Sequence, residues 1–255
     1  NRENELNTIL EKMKKLLLSA FVICLAGTSI AQESPLWMRH CALSPDGTTI
    51  AFTYKGDIYT VPSTGGRATQ ITTNPAFDTE PVWSPDSKQI AFASDRMGSL
   101  DVFVVSSEGG APQRLTTHSG SEKPVAYKDN KHILFTANIA PSAEDAGFPS
   151  GQFQQVYEVA VTGGRPAMFS SMPMECISIN KEGVMLYQDK KGYEDYWRKH
   201  QVSPIARDIW TYTPGKKPVY QKQTTFGGED REPVWSPDGK SFYYLSEEKG
   251  SFNIF

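Results

Sequence analysis

One phrase of seven residues, Glu-Pro-Val-Trp-Ser-Pro-Asp, stands twice in the chain, at Glu80–Asp86 and at Glu232–Asp238. Each copy sits in a longer frame. Thr72-Thr73 and six further residues lead into the first, and Thr224-Thr225 and six residues lead into the second. Downstream, Ile90-Ala91-Phe92 is answered by Phe242-Tyr243-Tyr244, and Gly98–Phe103 (GSLDVF) by Gly250–Phe255 (GSFNIF). Weaker copies fill the intervals. Ser44-Pro45-Asp46-Gly47 precedes Ile50-Ala51-Phe52, Tyr127-Lys128-Asp129 precedes Ile133-Leu134-Phe135, and Ser178-Ile179-Asn180 precedes Val184-Met185-Leu186-Tyr187. Marked by the serine of Ser-Pro-Asp or the residue in its place, the units stand at 44, 84, 127, 178 and 236. A period near 40 that widens by insertion is the mark of a repeat architecture, in which no unit can bury its own faces.

Each unit reads as four strands. In the second, Pro81–Trp83 is a short strand and Ser84-Pro85-Asp86-Ser87 a turn, with proline where its fixed φ suits the first corner. Ile90–Ser94, Leu100–Val105 and Gln113–Thr116 follow, separated by Asp95–Gly98 and by Ser107–Gly110. The first unit repeats the outline with Ile50–Thr53, Asp57–Val61 and Gln70–Thr72. Four antiparallel strands per repeat, divided by glycine turns, predict an all-β fold, a β-propeller of four-stranded blades. Phe255 matches Phe103, so the expectation is about four blades plus part of a fifth, an incomplete ring. Val and Trp of the phrase are expected to fill the layer between blades. Asp95-Arg96 is expected to pair across its own loop. Asp46, Asp86 and Asp238 read as turn residues rather than as metal ligands or catalytic acids.

Ahead of the repeats, Met13 to Glu33 reads MKKLLLSAFVICLAGTSIAQE. Two lysines, about a dozen apolar residues and Ser29-Ile30-Ala31 have the form of a secretory signal. Residues 1–12 then read as an over-long start, 13–31 as the signal peptide, and 32–255 as the propeller, truncated at its C-terminus. Export places the protein in the periplasm or outside the cell. The net charge of −3 and the lack of a basic run argue against a nucleic-acid partner. Past the signal only Cys41 and Cys176 remain. That is no disulfide framework and no zinc pair, and both thiols read as small buried hydrophobes.

The chain carries no G-x-S-x-G elbow, no H-E-x-x-H, no Walker loop and no G-x-G-x-x-G, and it implies no cofactor and no metal. His118 and His132 read as exposed loop residues, and Glu229-Asp230 as a solvated loop pair. Two stretches interrupt the repeat, Asn138–Gln154 in the third unit and Lys190–Ile205 in the fourth. The second gathers Tyr193, Tyr196, Trp197, Arg198 and His200, a candidate contact surface for a peptide or a partner domain. An ordinary solvated loop with an aromatic folded back explains the same composition.

The frame LTT…EPVWSPDG…IAF…SDR…G…DVFVV…GG…LTT resembles the propeller repeats of the periplasmic protein TolB and of tricorn-type proteases. Gly192–His200, with Arg207-Asp208-Ile209-Trp210 after it, looks more like the exported tricorn-like peptidases, as does Thr224-Thr225-Phe226 leading through Glu229-Asp230-Arg231. In that family a signal peptide precedes propeller modules, and a PDZ domain and a serine peptidase domain follow. The nucleophile lies in those later domains, so the resemblance places no catalytic residue on this chain. It implies a module that gates or presents peptide or unfolded polypeptide to the parent's own PDZ and protease domains, in a parent free to form homo-oligomers. A TolB-like protein-binding propeller without catalysis and the propeller of a prolyl-oligopeptidase-type dipeptidyl peptidase are the alternatives.

Overall fold

The computed structural model describes residues 37–139, 153–192 and 202–255. Within them the chain forms five antiparallel sheets, each a meander in which neighbours in space are neighbours in sequence. The first holds β1 (Arg39–Leu43), β2 (Thr49–Tyr54), β3 (Asp57–Pro62) and β4 (Thr69–Gln70). The second holds β5 (Asp78–Trp83), β6 (Gln89–Ser94), β7 (Asp101–Ser106) and β8 (Gln113–Arg114). The third holds β9 (Lys123–Asp129), β10 (His132–Ala137), β11 (Gln155–Ala160) and β12 (Ala167–Ser170), and the fourth β13 (Met174–Ile179), β14 (Met185–Asp189), β15 (Ile209–Thr213) and β16 (Val219–Lys222). The fifth holds β17 (Asp230–Trp235), β18 (Phe242–Ser246) and β19 (Asn253–Ile254).

This is a five-bladed propeller, which corrects the expectation of about four blades plus part of a fifth. Asn253 and Ile254 pair with Ser246 and Leu245. Phe255 exchanges both backbone hydrogen bonds with Tyr244, at 3.0 and 3.2 Å. The last unit therefore forms a sheet of its own. Matching Phe255 to Phe103 placed it mid-strand and suggested a half-written hairpin, but pairing, not full strand length, makes the sheet. The expected signal peptide and over-long start lie outside the described residues. The third and fourth units carry the frame one and two residues later than the sequence spacing predicts. Trp83 pairs with Ile90, and the residues in Trp83's place are Tyr127, paired with Ile133, and Ile179, paired with Met185. The structural counterparts of Ser84 are thus Lys128 and Asn180, because backbone pairing rather than an aspartate in the turn sets the frame.

The strands Ile90–Ser94 and Asp101–Ser106 show no hydrophobic alternation because both of their faces are covered. Ile90, Phe92, Phe103 and Val105 point toward the first blade and meet Ala51, Ile58, Ile71 and Trp83. Ala91, Val102 and Val104 point the other way and meet Tyr127, Ile133, Phe135 and Val159 of the third blade. A third layer joins Leu134 and Val156 to Met174, Ile177, Met185 and Tyr187. The expected role of Val and Trp is seen in the second blade, where Trp83 packs in the first of these layers and Val82 against the second. The first three blades also repeat an aromatic pair across their second and third strands. Phe52–Tyr59, Phe92–Phe103 and Phe135–Tyr157 stack at 5.9, 5.9 and 5.7 Å.

Two local devices explain the remaining letters of the repeat. Thr72, Thr116 and Thr224 are buried, and their hydroxyls accept from Ile58, Val102 and Ile209 N–H at 3.0, 2.9 and 3.1 Å. The threonine thereby satisfies a third-strand donor beyond the end of the short fourth strand. In the Ser-Pro-Asp turns, the Ser44, Ser84 and Ser236 hydroxyls donate to Asp46, Asp86 and Asp238 at 2.6, 2.7 and 2.6 Å. Each aspartate then accepts a backbone N–H two residues on, from Thr48, Lys88 or Lys240. The serine hydroxyl holds each carboxyl below the usual carboxylate range. The turns also link blades, since Asp46 N–H donates to the Ser87 hydroxyl and Asp86 N–H to Asn130.

Candidate functional site

Each sheet ends on its inner side in a strand paired on one edge only: β1, β5, β9, β13 and β17. These five stand around one central channel of about 660 Å³. Its wall is mostly apolar, with Ala42, Val82, Val125, Ile177 and Val234 from the five inner strands and Pro45, Pro85 and Pro237 at the Ser-Pro-Asp rim. The free edges of these strands would template pairing with another chain. Pro81 and Pro233 remove one donor each from that edge, which is where proline is tolerated in a sheet.

The inner strands share a bulge. His40, Glu80, Cys176 and Glu232 occupy one position and have φ of 50°, 56°, 51° and 53°. Pairing to the second strand shifts register at the same place, between Arg39 and Ala42, Thr79 and Val82, Glu175 and Ser178, and Arg231 and Val234. In the third blade the position is Pro124, whose ring forbids positive φ. A non-glycine residue held there costs about 1 kcal/mol, so the bulge needs a return. It obtains one between blades. Glu80 meets Lys123 of the third blade at 2.7 Å, and Glu232 N–H donates to Gln188 of the fourth at 2.7 Å.

Around the bulge of the fourth blade lies a charged girdle. Glu175 accepts from Lys190 at 2.8 Å, Gln188 at 3.0 Å and Arg207 at 3.2 Å, and Arg207 also reaches Glu229 at 2.7 Å. Burial pushes the Glu175 carboxyl up, but the hydrogen bonds from Lys190 and Gln188 outweigh it and hold it below its ordinary range. Cys176 sits among these groups. Confinement by protein, with the charges of Glu232 and Glu175 added, pushes its thiol up to about 12.

Several sequence expectations meet the structure here. Cys41 and Cys176 are not buried hydrophobes; both are free and exposed, and both line the channel. The bulge turns these side chains off the packed faces, and nothing in a single cysteine announces a bulge. Glu229-Asp230 is not a solvated pair. Glu229 is buried on Arg207, and Asp230 is fully buried at the start of β17. Arg96 does not pair across its loop. It grips both oxygens of Asp78 at 3.0 Å, its guanidinium 4.4 Å from the Phe103 ring centre, while Asp95 accepts from Phe77 N–H. His132 is half-buried at the start of β10 and lies 3.0 Å from Asp129; His118 accepts from Gly120 N–H. Tyr193, Tyr196, Trp197, Arg198 and His200 lie outside the described residues, as does most of the first insertion. Both insertions fall between the second and third strands of their blades. The channel residues went unremarked in the sequence. The available signal was a proline inside each copy of Glu-Pro-Val-Trp, which marks an edge strand.

The blade junctions carry buried acids. Asp101 and Glu122 are fully buried between the second and third blades, with Arg114 at 2.9 Å from Asp101. Burial, with Asp101 adding to it, pushes the Glu122 carboxyl up. Asp57 beside Asp78 and Asp230 beside Asp208 repeat the arrangement, and burial raises Asp57 and Asp230 as well.

The repeat has a counterpart among known families. Residues 35–255 match the tricorn protease N-terminal β-propeller domain. The chain belongs to that family. Tricorn protease homolog 1 of Streptomyces coelicolor is 39% identical over 209 residues, which is 81% of this chain and 19% of that protein. An uncharacterised Agrobacterium fabrum protein is 34% identical over 218 residues, 80% of this chain and 68% of its own length. Among solved structures, the tricorn protease superposes with a TM-score of 0.67 at 17% identity, over 87% of this chain and 21% of that one. A TolB-type protein of Agrobacterium tumefaciens superposes with a TM-score of 0.65 at 16% identity, over 86% of this chain and 73% of that one. This tricorn-type propeller thus spans about a fifth of its Streptomyces relative.

Proposed function

We propose that the chain is the propeller module of an exported tricorn-like serine peptidase, and that its central channel admits or presents extended peptide to a protease domain elsewhere in the parent. The observation that carries this reading is the channel itself. Five unpaired strand edges face a mostly apolar space, and an extended peptide recognises such an edge by adding a strand while its side chains meet the wall. Family membership supplies the peptidase context. A second reading, a TolB-like module that holds proteins without cleaving them, is favoured by the superposition on a TolB-type protein of Agrobacterium tumefaciens, 73% of which the chain covers.

The channel thiols give the test of occupancy. An extended apolar peptide carrying a fluorophore is expected to bind the chain, and alkylating Cys41 and Cys176 with a bulky maleimide is expected to abolish that binding. Unchanged affinity after complete alkylation would put the peptide somewhere other than the channel. Peptide hydrolysis by the parent, lost with a truncated propeller, separates the peptidase reading from the holding one.

A further inference from the structure

A second cavity, of about 350 Å³, opens between the first and second blades among the Ser-Pro-Asp turns. Its character is opposite to the channel's. Asp46 and Glu108 contribute carboxylates, Thr48, Thr60, Ser87 and Ser107 contribute hydroxyls, and no lysine or arginine among the described residues lines it. One oxygen of Asp46 takes the Ser44 hydroxyl, the Thr48 hydroxyl and Thr48 N–H, at 2.6, 2.8 and 2.9 Å. These bonds, with the Ser87 hydroxyl adding to them, keep the carboxyl ionised at the mouth of the cleft. Thr60 is 8% exposed, lines the cavity, and its hydroxyl has no hydrogen-bond partner among the described residues. The buried indole of Trp83 lies in the wall of both this cleft and the central channel.

We infer that the cleft receives the cationic end of an arginine or lysine side chain belonging to a peptide whose backbone occupies the adjoining channel. Two carboxylates without a cation in their lining repel an anion. A neutral polyol would satisfy the hydroxyls and leave the charge unbalanced. A guanidinium brings five donors in a fork, and an ammonium three, with a positive charge that the carboxylates of the lining do not otherwise meet there. The aromatic wall adds a further attraction for a cation. The cavity is large enough for such a head group with its aliphatic stem, as side-chain pockets of this size usually are. The inference rests on the channel reading for the peptide backbone and stands apart from it for the cation.

The two parts separate experimentally. The full 255-residue chain is titrated with N-acetyl-arginine amide, N-acetyl-lysine amide and the neutral isostere N-acetyl-citrulline amide, following the Trp83 indole N–H by NMR. The two cationic probes are expected to shift that signal and citrulline is not. Glu108→Gln, in an exposed turn, and Thr60→Val, which keeps the side-chain shape, are each expected to weaken the cationic probes about tenfold, and neither changes binding of a peptide without basic residues. An equal response to citrulline overturns the cleft, and so do cationic affinities that survive both substitutions. If the amides bind as expected and no extended peptide enters the channel, the channel reading falls and the cleft stands. If peptides bind equally with arginine or citrulline at every position, the cleft falls and the channel stands.

Discussion

Glu122 is a single residue with a measurable signature. It is fully buried at a blade junction, and burial together with the facing Asp101 outweighs the hydrogen bonds it receives from the Thr116 side chain and the His118 backbone and the charge of Arg114. Its folded-state carboxyl binds a proton more tightly than the unfolded one does. Such a group stabilises the fold fully below its unfolded value near pH 4, and the contribution disappears as pH rises toward the raised folded value. Glu122→Gln removes the titration while keeping the volume. In urea melts the variant is expected to match the parent near pH 4 and to exceed it increasingly toward neutrality, by at most about 1.4 kcal/mol per pH unit. Parallel stability curves from pH 4 to 8 would show that the site does not retain its proton. Thr116, which closes the third strand of the same blade, makes a simpler case. Thr116→Val leaves Val102 N–H buried without an acceptor and is expected to cost about 1–3 kcal/mol in the same melts.

At the scale of the strand, aromatic residues on strands of one outline can have opposite energetic weight. Phe92 is fully buried between two blades, and Phe92→Ala is expected to cost about 3–5 kcal/mol through lost transfer energy and an unfilled cavity. Tyr243 stands where Ala91 stands in the second blade, on a strand of the same outline, yet it is 54% exposed. Tyr243→Ala is expected to change stability by less than about 0.5 kcal/mol. Equal losses would mean that the outward face of the fifth blade is covered. The same contrast explains what the sequence revealed. Strand order, turn positions and the roles of Trp83 and Asp86 follow from local chemistry that each copy of the phrase repeats, so the blade is readable in the sequence while the number of blades is not. The bulge was not, because it appears as a φ of 56° at Glu80 and 51° at Cys176, in residue types with no shared side-chain chemistry. The alignment slips at Lys128 and Asn180 have a related origin. There the turn lost its Ser-Pro-Asp, and an accidental aspartate or serine drew the frame by one or two places.

For the whole molecule, the channel is what no single blade contains. Its walls come from five inner strands far apart in sequence, and its field is summed from different blades. Cys176 reports that field. It lies on the fourth blade, while the carboxylates that reinforce its raised thiol value include Glu232 of the fifth blade, Glu175 beside it and Glu80 of the second. The dominant cause is confinement by protein, and the surrounding negative charge adds to it. The thiolate is the reactive form. With the thiol pushed up to about 12, the alkylation rate at Cys176 is expected to climb about tenfold per pH unit from pH 7 through 10 without levelling. Peptide mass mapping after timed iodoacetamide pulses separates it from Cys41. Glu232→Gln removes one of the opposing charges and is expected to raise the Cys176 rate at pH 8 several-fold. Glu248→Gln, which changes a carboxylate that is not among the channel-lining residues, is expected to leave it unchanged. A plateau below pH 10, or equal rates in all three proteins, would mean that the carboxylates of the neighbouring blades do not act on the Cys176 thiol.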